Sequence, residues 1–133
     1  MALYSFFLPT VGSAAAVRAQ AYAAWAAELA LSSYDGVPWI MCQQDDAPDS
    51  MIATCNGFYC DGWIDGHRQR RPGQPAMFTE NWPGWFQAWG EPVPHRPAVD
   101  VAFSVARFVA RGGTLNNYYM YHGACVRACL IGR

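Results

Sequence analysis

A chain of 133 residues carries one domain's worth of sequence, and with 53% hydrophobic, 15% aromatic and 14% charged residues it is too apolar and too rich in rings for a disordered segment. The formal charge of -1 excludes the clustered basic excess by which proteins hold nucleic acid or an anionic membrane surface. No metal or cofactor signature is present either: of the five cysteines only Cys125 and Cys129 have ligand-like spacing, and His67, His95 and His122 are scattered.

The chain opens on Ala2-Leu3-Tyr4-Ser5-Phe6-Phe7-Leu8, followed by the small residues Ser13 to Ala16, which together have the outline of a secretory leader. No basic residue precedes the run and Pro9 interrupts it, so the signal is weak, and the run is too short to span a bilayer. From Ala19 to Leu31 strong helix formers carry Tyr22, Trp25 and Leu29 at intervals of three and four, predicting an amphipathic helix with those residues on its apolar face. Ser32, Ser33, Asp35 and Gly36 break it.

Val37 to Cys42 is a short apolar run suited to a buried strand, and the polar stretch Gln43-Gln44-Asp45-Asp46 follows at once. Gly57 to Cys60 reads as a second strand, Pro75 to Thr79 as a third and Thr114 to Tyr121 as a fourth. Between the last two, a helix opens near Pro97 with Asp100 in its first turn, carries Val101, Phe103, Val105, Phe108 and Val109, and ends at Gly112-Gly113. Of the central cysteines, Cys42, Cys55 and Cys60, the first reading is one disulfide with Cys55 to Cys60 as the candidate pair, plus buried thiol.

Short apolar strands alternating with helices predict parallel βα units, with polar or aromatic residues collected behind the strand ends. The most telling of those ends is Met77-Phe78-Thr79-Glu80-Asn81-Trp82-Pro83-Gly84-Trp85-Phe86, where an apolar run finishes on one carboxylate and passes into tryptophans. Sugars present C–H faces that stack on indoles, and cleavage of a glycosidic bond builds positive charge that a carboxylate can stabilise or trap. Glu80 is therefore the candidate catalytic residue.

Several stretches in order resemble the plant-type β-galactosidases of glycoside hydrolase family 35: Gly36 to Asp49, Cys55 to Asp61, Thr79 to Phe86, Pro92 to Phe108, and Asn117 to Gly123. The resemblance covers about residues 20–123, leaving 1–19 and 124–133 as divergent ends of a partial catalytic domain. It implies an α/β fold, a partial (β/α)8 TIM barrel of roughly strands 5 to 8, hydrolysis of terminal non-reducing β-D-galactose residues with retention, and no cofactor. It also implies a β-galactoside or galactose-containing polysaccharide as substrate, and secretion to the cell wall or apoplast, or delivery to the vacuole. Glu80 matches the family's nucleophile within Thr79-Glu80-Asn81-Trp82, and Trp82, Tyr119 and Asn117 are the candidate substrate-binding residues. The family's acid/base glutamate lies in an Asn-Glu motif ahead of the first helix. This sequence contains no such pair, and its first carboxylate is Glu28. The alternative expectation is a non-catalytic remnant that binds galactosides weakly through Trp82 and Tyr119.

Overall fold

Alanine dominates the first helix, and that decides which face of it packs. In the computed structural model, which describes residues 14–44, 46–92 and 94–120, α1 runs from Ala14 to Ser33. Ala23, Ala27 and Ala30 are buried against Met41, Ala47 and Met51, because a methyl side chain lets the helix approach its neighbours closely. The stripe of Tyr22, Trp25 and Leu29 expected to face the core is instead half exposed, with Tyr22 and Trp25 packed on each other at 5.6 Å. Helical periodicity identified the apolar stripe but could not distinguish it from the adjoining alanine face, which is the one that meets the protein. The small residues Ala14 to Ala16, part of the leader-like pattern, form the first turn of this helix.

Among the described residues five strands follow in parallel pairings: β1 (Ile40–Met41), β2 (Ile52–Ala53), β3 (Cys55–Gly57), β4 (Met77–Asn81) and β5 (Leu115–Tyr118). β1 pairs with β2, β3 with β4 and β4 with β5. Thr54 alone separates β2 from β3, so residues 52–57 form one path whose first part pairs backwards in sequence and whose second part pairs forwards. Within each of the two sheets, β1-β2 and β3-β4-β5, spatial order thus equals chain order, as expected of successive βα units, and among the described residues neither sheet closes on itself.

Two departures from expectation concern this middle path. The second strand ends at Gly57 instead of running on to Cys60: Phe58 and Tyr59 are exposed, while the Cys55–Cys60 disulfide closes the turn that carries them. A helix absent from the periodicity, α2 (Trp63–Arg70), then covers the sheet with Ile64 and His67. The predicted helix near Pro97 is α3 (Ala98–Ala110), with Asp100 in its first turn. Gly112 takes φ +85°, and a side chain on Gly113 would collide with the Phe108 ring, so both glycines are required where the chain leaves α3 for β5.

A second core joins these layers. Cys55, Cys60, Ile64, Ala76, Phe78 and Phe108 pack together, with the Phe78 and Phe108 rings 5.3 Å apart and both fully buried. Each ring contributes about 2–3 kcal/mol of apolar burial. Asp61, buried ahead of α2, takes Arg107 of α3 at 2.6 Å and so ties the two helices together on the same side of the sheet.

Candidate active site

β4 is the central strand of its three-stranded sheet, and its register with β3 is irregular where the chemistry sits. Cys55 pairs with Phe78 and Asn56 with Glu80, so Thr79 is an extra residue opposite no partner. Such a bulge re-aims side chains, whereas in a regular strand Thr79 and Glu80 would point to opposite faces. Here both reach the same sulfur: Thr79 Oγ1 lies 3.7 Å and Glu80 Oε1 3.6 Å from Cys42 Sγ, just beyond the end of β1.

The half-buried Glu80 carboxylate is held at both oxygens. Trp82 Nε1 donates to Oε2 at 3.1 Å, and the Cys42 thiol faces Oε1. Behind the thiol is a buried polar chain in which Asn56 Nδ2 donates to Cys42 Sγ at 2.9 Å and the Thr79 hydroxyl donates to Asn56 Oδ1 at 2.9 Å. The Thr54 and Thr79 hydroxyls meet at 2.7 Å, which links this chain to the Thr54 break between β2 and β3. Burial pushes the Cys42 thiol above its ordinary range, opposed by its hydrogen bonds to Asn56 and Thr79 and reinforced by the negative charge of Glu80. The thiol is therefore neutral at physiological pH, and its one hydrogen is shared between Asn56 Oδ1 at 3.2 Å and the carboxylate at 3.6 Å.

Trp82 is set by its backbone as well as its ring. Its N–H donates to Gly57 O at 3.0 Å, continuing the β3–β4 ladder by one bond, and its ring meets Phe58 edge-on at 5.4 Å and Trp85 at 4.8 Å. Trp85 in turn contacts Phe86 at 5.6 Å, and Trp85, Phe86 and Trp89 are all exposed. The acid thus lies at the inner end of a run of rings that extends to solvent.

From the other side, β5 brings the remaining candidates to the same strand. Asn117 Nδ2 donates to Thr79 O at 2.9 Å, and the Tyr119 backbone N–H donates to Asn81 O at 2.8 Å. Both candidates therefore flank Glu80 on β4, with the Asn117 amide engaged by a backbone carbonyl. His122, Asp45, Cys125 and Cys129 lie outside the described residues.

Cys42, Asn56 and Thr79 were not picked out as site residues in the sequence. Cys42 lies just beyond β1, whereas Asn56 and Thr79 are the middle residues of β3 and β4, and only the irregular register brings the three together.

Glycosyl hydrolases family 35 is the family whose model matches this sequence, over residues 10–126. The chain belongs to glycosyl hydrolases family 35. Beta-galactosidase 3 of Oryza sativa subsp. japonica is 61% identical to it over 105 residues, 79% of this chain and 12% of that relative. Beta-galactosidase 6 of the same rice and Beta-galactosidase 8 of Arabidopsis thaliana are each 56% identical over 113 residues, 85% of this chain and 13% of theirs. The family 35 chain thus spans about an eighth of the length of the curated relatives it matches. Its matched span holds Glu80 with every partner described above, from Cys42 to Tyr119.

Proposed function

We propose that this chain carries the nucleophile side of a retaining β-galactosidase, with Glu80 attacking the anomeric carbon of a terminal β-D-galactosyl residue. The observation that carries this is the Glu80 carboxylate at the carboxyl end of a central parallel strand, with one oxygen on the Trp82 indole N–H and the other facing the Cys42 thiol. The indole N–H and the neighbouring thiol orient the carboxylate before substrate arrives, the indole being the donor it does not share, and such orientation is what in-line attack requires. Names of the relatives supply the sugar and the reaction class. The strand order supports a place in the second half of a (β/α)8 barrel, roughly strands 5 to 8, whose active face gathers at strand carboxyl ends.

In this mechanism one Glu80 oxygen forms a bond to the anomeric carbon as the bond to the leaving oxygen breaks, and the electron pair departs with the leaving group. A second carboxyl group, about 5 Å away in retaining enzymes, protonates that group and later activates water. The Asn-Glu pair that supplies it in the family does not occur in this sequence. In this reading Trp82 and Tyr119 contact the sugar, supported by the Trp82 bond to Glu80 and by the Tyr119 backbone bond to Asn81, while Asn117 fixes the strand at Thr79. Secretion or vacuolar delivery is part of the same proposal, and the Cys55–Cys60 disulfide suits an oxidising compartment.

A dinitrophenyl β-galactoside tests the nucleophile by itself, because its leaving phenolate needs no proton. The expected result is a burst of one equivalent of phenolate from the wild-type chain and none from Glu80→Gln. A burst of the same size in both proteins removes Glu80 from the mechanism. No burst in either favours the non-catalytic alternative.

A further inference from the structure

We infer that Arg96 is a positioning residue for Glu80, acting through Trp82, a role that rests on Glu80 being the nucleophile. Arg96 lies in the segment before α3, with only 7% of its side chain exposed. Its guanidinium binds three separate pieces of backbone or loop. Nη1 donates to Trp82 O at 2.7 Å and to Asn81 Oδ1 at 3.4 Å. Nη2 donates to Phe58 O at 2.9 Å and to Asp100 O at 3.4 Å, while Nε pairs with the Asp100 carboxylate. The same group lies over the Phe58 ring at 5.4 Å and the Tyr59 ring at 5.2 Å.

These contacts fix the two things that aim the Trp82 indole. One is the tryptophan's own carbonyl, and the other is Phe58, whose ring meets the indole edge-on. With its backbone and its packing partner both held by one planar fork, the indole has its N–H directed at Glu80 Oε2. Lysine cannot replace the fork, since a single ammonium cannot reach carbonyls on both sides while pairing with Asp100. Asp100 keeps the fork in plane, and the Tyr59 phenol, with Arg96, holds its carboxyl below the usual carboxylate range.

The test follows the Trp82 indole N–H by nitrogen-15 NMR on the full chain, with the resonance assigned through Trp82→Phe. Glu80→Gln marks where that resonance falls once the carboxylate is gone. Arg96→Lys is expected to move it most of the way to that position, and to slow the galactosyl burst about tenfold or more with little change in KM. Asp100→Asn leaves the arginine and its packing in place, and is expected to move the resonance part of the way in the same direction. It reads the coupling even where Arg96→Lys lowers the folded fraction.

An unmoved resonance in either folded variant overturns the role of Arg96, as does a moved resonance with a wild-type burst rate. A full burst in Glu80→Gln overturns the nucleophile instead. The two failures are distinguishable, because the resonance reports the Arg96–Trp82 coupling whether or not Glu80 reacts.

Discussion

Trp82 Nε1 donates to Glu80 Oε2 at 3.1 Å, so the tryptophan expected to stack on sugar also holds the catalytic candidate. Replacing it with phenylalanine keeps a ring against Phe58 and removes the donor. A hydrogen bond to a charged group is worth about 1.5–3 kcal/mol, so Trp82→Phe should slow galactosyl transfer to Glu80 by about tenfold to a hundredfold. Burst rates at saturating dinitrophenyl galactoside check this, and a change confined to KM would assign Trp82 to stacking alone.

Cys42 offers a second handle on the same carboxylate. Cys42→Ala leaves the Asn56 amide without its buried sulfur partner and should destabilise the chain by about 1–3 kcal/mol, whereas Cys42→Ser, which keeps an acceptor and a donor, should cost less. Urea unfolding of the two variants gives the comparison. In the native protein the raised, buried thiol should also resist alkylation at neutral pH, read by peptide mapping of Cys42 before and after denaturation.

His67 gives the fold a pH dependence of known sign. Burial chiefly, with Arg71 and Arg70 nearby, lowers its pKa below the ordinary value, while its hydrogen bonds to backbone oppose the shift. The unfolded chain therefore takes up the proton first, and stability is complete above about pH 6.5 and falls as pH drops through the depressed folded value. The ring stacks on Trp63 at 4.2 Å and bonds Pro75 O at 3.2 Å, so charging it strains the contact between α2 and the lead into β4. Melting temperatures at pH 7.5 and 5.5 should differ less in His67→Gln than in wild type.

The outward stripe of α1 makes a further prediction. Trp25→Gln and Leu29→Gln should each leave the unfolding free energy from urea titration within about 0.5 kcal/mol of wild type, because both side chains are half exposed. Ala27→Leu, on the opposite face and 2% exposed, should instead cost about 1–3 kcal/mol by overpacking against Met41 and Met51. The reverse ranking would restore Tyr22, Trp25 and Leu29 to the core.

β4 and α3 were legible because their signals are local. An apolar run ending at Glu80, a proline and an acid opening a helix, and two glycines closing it need no knowledge of the rest of the chain. The helix α2 gave no such signal, since Trp63 and Ile64 are its only large apolar residues and Gly66 sits at its centre. The path through β2 and β3 was misplaced by the rings of Phe58 and Tyr59. The residues that do form it, Ile52 to Gly57, mix small, polar and apolar side chains, and the neighbouring disulfide leaves the rings outside.

At the site, Glu80 was readable as an acid at a strand end. Its bond to Trp82 follows the period of two that puts alternate residues on one side of an extended chain. Cys42 and Arg96 were not readable. The first depends on the register that sets Asn56 opposite Glu80, with Thr79 displaced, and the second on the end of β4, the turn after β3 and the start of α3 meeting at one guanidinium.

The most direct measurement of the Glu80 assignment is a peptide map after treatment with a dinitrophenyl β-galactoside fluorinated beside the anomeric carbon, which slows release of the trapped sugar. The nucleophile assignment predicts one fluorogalactosyl group per chain, located on Glu80 and absent from Glu80→Gln. No adduct, or an adduct on a different side chain, contradicts it.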